Sequence, residues 1–485
     1  MKTKVLSLIL CVVIMMTVFS ACGKNDSTME LIQGNNYTPA DVREAEPIYI
    51  VTYDLLGDNV MPLGVWWGPY GSVTGDEING VTKPDYLTDE MFRILKDSGV
   101  NFISCSPDQF PDARGSILKT LELCEKFDIG YFVQDSRLMT VEDAETAEML
   151  VQEYINHPNC FGVHLTDEPF IEEIEGLRTP YRVFSETKYA VDKQLYVNML
   201  PSYSGTDRLG GTHYDYLTKF LETTNSSFLS YDNYPFRMQN TGTTYGLPSS
   251  YFKDLSVVRK VANEHEIPFW VFVQAGGQWE EQVGKPSLPL FPNEGETLWN
   301  INTCLAYGAK SIQYFTFLQP THFADAGGNL RDYQREGMVG VMGNKTQWYY
   351  YIQKANQQIA AIDHILMNSA QKGVLATGFW ADRIAESDKP SDCGERSWRE
   401  LQNISSDNEE TGIIIGCFDY SFEKEKSRSA YYIVNTDVTN KQKVTLHFDK
   451  KYGYDIIQRG KSVGVMGKTV TLTLERGEGV MLALR

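Results

Sequence analysis

The chain of 485 residues is short of positive charge. Lys and Arg total 44 against 63 Asp and Glu, a formal net charge of −19. An acidic surface repels nucleic-acid phosphates and anionic lipid headgroups, which argues against both as partners. Histidine is scarce, at seven residues, and the eight cysteines are scattered with no C-x-x-C pair. That spacing supports neither a zinc site nor a disulfide framework, and no cofactor is expected. A nucleotide-binding open sheet would carry a Gly-rich first turn. This chain has Trp66-Trp67-Gly68-Pro69 at that place, with no phosphate cradle. Long apolar runs are missing except at the start. Aromatics, by contrast, are plentiful, with 28 Tyr, 23 Phe and 8 Trp. They fill cores, and they also offer flat faces to sugar rings.

Lys2 and Lys4 precede an apolar run over 5–19, followed by Ser20-Ala21-Cys22. A charged start, a short apolar core and small residues describe a secretory signal. The run falls short of the ~20 residues of a membrane span. Cysteine at the cut site resembles the bacterial lipoprotein box. The resemblance implies a signal peptide over 1–21, a lipidated, palmitate-bearing Cys22 and an extracytoplasmic protein anchored to a bacterial membrane by that lipid alone. Residues 22–46 are polar without apolar periodicity and predict a tether.

From residue 47 strand-like and helix-like runs alternate. The strands fall at 62–67, 101–106, 130–135, a run ending at Glu168, then 195–200, 228–234, 268–274 and 311–317. A helical run follows each. Such alternation predicts a parallel sheet, and eight units over 47–368 predict a closed (β/α)₈ barrel. Over 369–485 short alternating β-runs separated by turn signals predict a C-terminal antiparallel β-sandwich domain. A polar stretch over 385–410 reads as a long insertion, part of it disordered.

In such barrels chemistry sits at the carboxyl ends of the strands. Gly162-Val163-His164-Leu165-Thr166-Asp167-Glu168-Pro169 is a strand that ends in two acids and a proline. On a period of two, Val163 and Leu165 face the helices while His164, Thr166 and Glu168 face inward. Glu168 is the first candidate for a catalytic acid. The other strand ends offer Trp66 and Trp67, Asp135, Asn198, Asp232 with Tyr234, Gln274, and Tyr314 with Thr316. Of the two tryptophans, one is expected to face inward and the other to pack against a helix. Loops add Trp279, Glu280, Glu281, His322, Asp325 and Asp332. Carboxylates, amides and aromatics without a Cys/His cluster suit a neutral polyhydroxylated ligand rather than a metal.

The Asp-Glu-Pro at the end of strand four is similar to the Asn-Glu-Pro of clan A glycoside hydrolases, where the Glu is the acid/base. Residues 303–315, a helix end, a Gly-Ala turn and an aromatic strand, resemble the matching part of family 42 β-galactosidases and their relatives. The resemblance implies a glycoside hydrolase acting on neutral oligosaccharides or polysaccharides. Glu168 would be the acid/base, with Asp167 where the family has Asn. It also exposes a departure. The clan's nucleophile is a Glu at the end of strand seven, and this chain has Gln274 there. An amide cannot attack an anomeric carbon as a carboxylate does. Asp232 is the favoured second catalytic carboxylate, with Glu280 or Glu281 as alternatives. Asp167, His164, Trp66, Trp67, Asn198, Tyr234, Gln274, Trp279 and Tyr314 are expected to bind substrate. Two other readings stay open. One is a substrate-assisted N-acetylhexosaminidase, with Tyr231 turned inward to hold the acetamide. The other is a lipoprotein that binds carbohydrate without catalysis.

Overall fold

The structure is a computed structural model. It describes residues 29–485 apart from 33, 35, 72–76, 79, 80, 83, 239–244, 247–249, 283, 284 and 320–335. The expected signal segment and Cys22 lie outside the described residues. Among the described residues no helix is long and apolar enough to cross a membrane.

Eight parallel strands close into a barrel. In chain order they are Leu63–Val65, Phe102–Ile103, Gly130–Gln134, Cys160–Asp167, Gln194–Met199, Leu229–Asp232, Phe269–Gln274 and Ser311–Phe315, called strands one to eight below. The main helices between them start where the chain supplies a cap. Thr88 accepts from the Met91 N–H, and Thr212 and Asn293 form capping boxes with Asp215 and Glu296.

Alternation sorts the barrel's side chains into two cores. Phe102, Phe132, Phe161, Tyr196, Phe228, Trp270 and Phe272 fill the interior. Val133, Val163, Leu195, Val271 and Ile312 face the helices. Phe228 stacks on Trp270 at 4.1 Å, and Tyr53, ahead of strand one, stacks on Phe161 at 3.8 Å and plugs the floor. Each such side chain contributes roughly 1.5–3 kcal/mol of burial. Gly162 permits close strand packing, because a Cβ there would lie 1.8 Å from the Gln194 carbonyl oxygen.

After helix Gln347–Leu366 the chain enters one antiparallel sheet of nine strands, the C-terminal sandwich. Not all of the β-runs expected over 369–485 stay short: Gln442–Gln458 is a single strand of 17 residues. Its first half pairs with Leu401–Ser406 and its second with Gly479–Leu484, so the sheet folds over its own apolar core. The whole of 385–410 is described and supplies that paired strand, Leu401–Ser406; it is not a disordered insertion. Helix Glu294–Ala306 is buried nearly all round because it lies between barrel and sheet. There Tyr432 OH donates to Asn302 Oδ1 at 2.7 Å. Within 22–46, read as a tether, Glu30–Leu31 and Arg43–Glu44 pair with strands of this sheet.

Candidate active site

Strand four starts the site. Against strand five, His164 pairs with Tyr196, Thr166 with Val197 and Asp167 with Asn198. One residue is extra on strand four, a β-bulge. Simple alternation would leave Asp167 facing out. The bulge brings it level with Asn198 on the inner face. Glu168 then adopts a left-handed backbone at φ 48°, and its N–H donates to the Asn198 carbonyl at 2.9 Å. That turn delivers Glu168 into the same cleft. Tyr216 OH, from helix His213–Thr224, donates to the Pro169 carbonyl at 2.6 Å and holds the turn from outside.

The cleft has a volume of about 370 Å³, and Trp66, Trp67, Asp167, Glu168, Asn198, Asp232 and Tyr234 line it. Both tryptophans reach it, contrary to expectation. Strand one ends at Val65, and Trp67 has φ 52°, so strand alternation no longer applies. Trp66 is also packed edge-on against His164 at 5.2 Å.

The acids are in contact. The Asp232 side chain hydrogen-bonds Glu168, and its Oδ1 accepts from Asn198 Nδ2 at 3.1 Å. Asp232 is 2% exposed. Burial first, then the charge and hydrogen bond of Glu168, then Asp167, hold its pKa well above the usual carboxylate range; only Asn198 opposes them. Asp167 is also pushed up, by dense protein surroundings and by Glu168, against a hydrogen bond from the Asn198 side chain. Yet its surface opens to solvent. Water in the cleft hydrates that carboxylate, so the push is weaker than on Asp232.

Several expected site residues lie elsewhere. His164 is 0% exposed beneath Trp66, neither ring nitrogen has a hydrogen-bond partner among the described residues, and burial lowers its pKa to about 3. It is a neutral core residue, not a ligand of substrate. Tyr314 faces the helices and donates to Asn356 Oδ1. Strand eight presents Gln313 and Phe315 inward, and the sequence reading took the wrong parity. Tyr231 belongs to the outer core, with its ring 6.3 Å from His213. Thr316 Oγ1 donates to the Leu318 carbonyl. Asp135 is held by Arg137 at 2.8 and 2.7 Å and by Tyr154 OH at 2.8 Å, a structural anchor. Gln274 shares the inward parity of Trp270 and Phe272 but stays 8% exposed and is not among the residues lining the cleft, its Oε1 without a partner among the described residues. Trp279, Glu280 and Glu281 fall on a strand, Gln278–Gln282, of a hairpin with Lys285–Leu290, not on a loop. Their side chains lie outside the described residues, as do His322, Asp325 and Asp332.

The cleft also gains residues that sequence reasoning missed: Phe272, Phe315, Tyr203, Ser204 and Arg208. Phe315 shares its parity with polar Ser311 and Gln313 while Tyr314 sits on the other, so the pattern does not tell which aromatic faces in. Tyr203, Ser204 and Arg208 follow strand five on a 3₁₀ turn, Ser202–Ser204, and a one-turn helix, Thr206–Leu209, both too short to leave a periodic signal. The Arg208 guanidinium lies 5.0 Å from the Phe170 ring. Among the described residues no group of three or more His, Cys, Asp or Glu could hold a metal ion.

No family model and no curated protein sequence matches this chain. Among solved structures it is similar to a catalytic mutant of a family 42 β-galactosidase from G. stearothermophilus. The TM-score is 0.48 at 10% identity, over 90% of this chain and 99% of that one. A β-galactosidase from the Antarctic haloarchaeon Halorubrum lacusprofundi gives 0.46 at 11% identity, over 87% and 99%. For the β-galactosidase of the psychrophilic Marinomonas ef1 the TM-score is 0.45 at 11% identity, over 64% of this chain and 63% of that one. All three scores lie below 0.5, so function has to come from the site's own geometry.

Proposed function

We propose that this chain hydrolyses glycosidic bonds of neutral glycans, with Glu168 as general acid/base and Asp232 as its partner carboxyl. The observation that carries the reading is the Glu168–Asp232 hydrogen bond at the carboxyl end of a closed parallel barrel, in a cleft walled by Trp66, Trp67, Tyr234 and Phe315. Two carboxyl groups in contact resist double ionisation and share one proton. During hydrolysis that proton passes through Glu168, the member nearer the cleft, to the leaving glycosidic oxygen as its bond to the anomeric carbon breaks. Water adds to that carbon and returns a proton to the pair. One water is consumed and the pair ends as it began. The aromatic faces suit the apolar side of a sugar ring.

A second reading has its own support. A retaining pair stands about 5–5.5 Å apart and an inverting pair roughly 6.5–9.5 Å. Two carboxyls in hydrogen-bond contact are closer than either. The described carboxylates of the cleft all come from strands four and six, and the facing walls present Trp67, Phe272 and Phe315. That one-sidedness favours a nucleophile supplied by the substrate, the acetamide of a 2-acetamido sugar, with Tyr234 in the place expected for Tyr231.

The test is product analysis on a glycan panel holding both hexosides and 2-acetamidohexosides. Cleavage of hexosides, insensitive to a thiazoline, supports the first reading. Cleavage of acetamido sugars alone, blocked by thiazoline, supports the second. Tight binding without product, unchanged in Glu168→Gln, leaves only a carbohydrate-binding protein. We also propose the lipid anchor at Cys22; labelled palmitate incorporated by the full chain and absent from Cys22→Ala would support it.

A further inference from the structure

Beneath the carboxyl pair a chain of polar side chains crosses the otherwise aromatic barrel interior. Ser230 Oγ donates to Asn198 Oδ1 at 3.0 Å, and Gln313 Nε2 donates to Ser230 Oγ at 3.2 Å. Gln313 Oε1 accepts from Ser104 Oγ, and Tyr196 OH, 2.8 Å from Ser230 Oγ and 3.1 Å from Gln313 Oε1, gives its one hydrogen to the nearer Ser230. Ser104, Ser230 and Gln313 are all 0% exposed. At its upper end Asn198 Nδ2 donates to Asp232 Oδ1 at 3.1 Å, and the same side chain bonds Asp167.

Direction matters in this chain. A hydroxyl has one hydrogen, and Ser230, which accepts from Tyr196 and Gln313, gives its own to Asn198. With its oxygen held by Ser230, the Asn198 amide can turn only its NH₂ end toward the acids. Asp232 Oδ1 must therefore accept, and the proton shared with Glu168 cannot sit there. It sits on Asp232 Oδ2 or on Glu168. Asp232 is buried, whereas Glu168 is partly open to the cleft. The charge is better hydrated on Glu168. The titratable and charged groups around Asp232 are Glu168 and Asp167 on strand four, Tyr216 on its helix, Tyr231 and Tyr234 beside it, and Arg208 on the cleft rim.

We infer that Gln313, Ser230 and Asn198 are positioning residues that hold Asp232 Oδ1 as an acceptor, so that the proton which burial keeps on Asp232 sits on Oδ2, aimed at the Glu168 carboxylate. The inference rests on the proposed hydrolysis for its purpose, but not for its test. Asp232 is then the proton reservoir and Glu168 the delivering group. As Glu168 protonates the leaving oxygen, the Asp232 proton moves across to Glu168; water restores it.

Infrared spectra of the substrate-free protein over a pH series read the protonated-carboxyl band directly. The wild type should keep such a band where ordinary carboxyls are ionised. Asp232→Asn should remove it. Glu168→Gln should keep it and move its loss to lower pH, because the like charge is gone. Ser230→Ala and Gln313→Leu release the amide, so the obligatory N–H donation that favours the ionised form weakens. In both, loss of the band should move up by about one pH unit, a tenfold change in the proton equilibrium. Where glycoside turnover is measurable, its basic limb should move the same way with KM unchanged, and Ser230→Thr should restore it. A band that survives Asp232→Asn overturns the inference. So does a band that titrates as in wild type in folded Ser230→Ala and Gln313→Leu. Should the two buried variants not fold, the Asp232→Asn and Glu168→Gln spectra still decide where the proton resides. No cleavage of any glycoside together with the stated band shifts would remove the hydrolase reading and leave the proton assignment standing.

Discussion

Asp232 hydrogen-bonds Glu168 although strand five lies between the strands that bear them. The short cut exists because Glu168 has left the sheet through a left-handed turn, while Asp232 remains on strand six and Asn198, at the end of strand five, holds it from the side. The pair is a product of closure and of one turn, and it frames the expected behaviour of the site.

Glu168→Gln should abolish most turnover and leave the fold intact. Gln keeps the shape but cannot release a proton, and general acid catalysis contributes ~10²- to 10⁴-fold. Turnover and thermal unfolding should be measured on one preparation. A loss of only a few-fold would remove Glu168 from the acid role.

Asp232→Asn should stabilise the protein at neutral pH and not in acid. Its pKa is raised in the folded state, so the folded protein holds a proton the unfolded chain releases. Its contribution is full below the unfolded carboxyl value and is lost as pH rises toward the folded one. The melting temperature of the variant should exceed wild type by a few degrees at pH 8 and match it near pH 4. Equal curves at both would contradict a buried neutral Asp232.

His164→Phe should make the fold more tolerant of acid. The folded imidazole has its pKa lowered from 6.5 to about 3, so its cost appears as pH falls through that window. At about 1.4 kcal/mol per pH unit the gain is bounded by roughly 5 kcal/mol. Chemical unfolding at pH 7 and pH 4 checks it, and a difference at pH 7 alone would point to packing instead.

Trp67→Ala should weaken sugar binding by roughly ten- to a hundredfold, in line with losing about 1.5–3 kcal/mol of stacked area, with little change in stability. Trp66→Ala should cost stability as well, since that ring also covers His164 and Phe272. Calorimetric titration with a bound glycan separates the two. The same effect from both variants would show that the two rings are not divided in this way.

Tyr314→Phe should cost about 1–3 kcal/mol and leave KM alone, because the hydroxyl bonds Asn356 rather than substrate. A raised KM at unchanged stability would return Tyr314 to the site.

Much of this molecule follows from local rules. The eight strand–helix units, the change to β-rich runs after the last barrel helix and the inward parity of Asp232 and Asn198 all come from periodicity, which nearest neighbours decide. Glu168 was legible because proline ends a strand wherever it occurs. Tertiary structure alone decided the rest. The bulge that turns Asp167 inward exists only against strand five. The parity of strand eight was ambiguous because polar Ser311 and Gln313 share a face with Phe315 while Ile312 and Tyr314 share the other, so each face carries an aromatic, and only closure against strands seven and one set Phe315 inward and Tyr314 outward. Arg208 and Tyr203 come from single helical turns too short to show a period, whose course depends on what they pack against. Contact between Asp232 and Glu168, 64 positions apart by their numbering, is a matter of three-dimensional closure, which no local pattern of residues encodes.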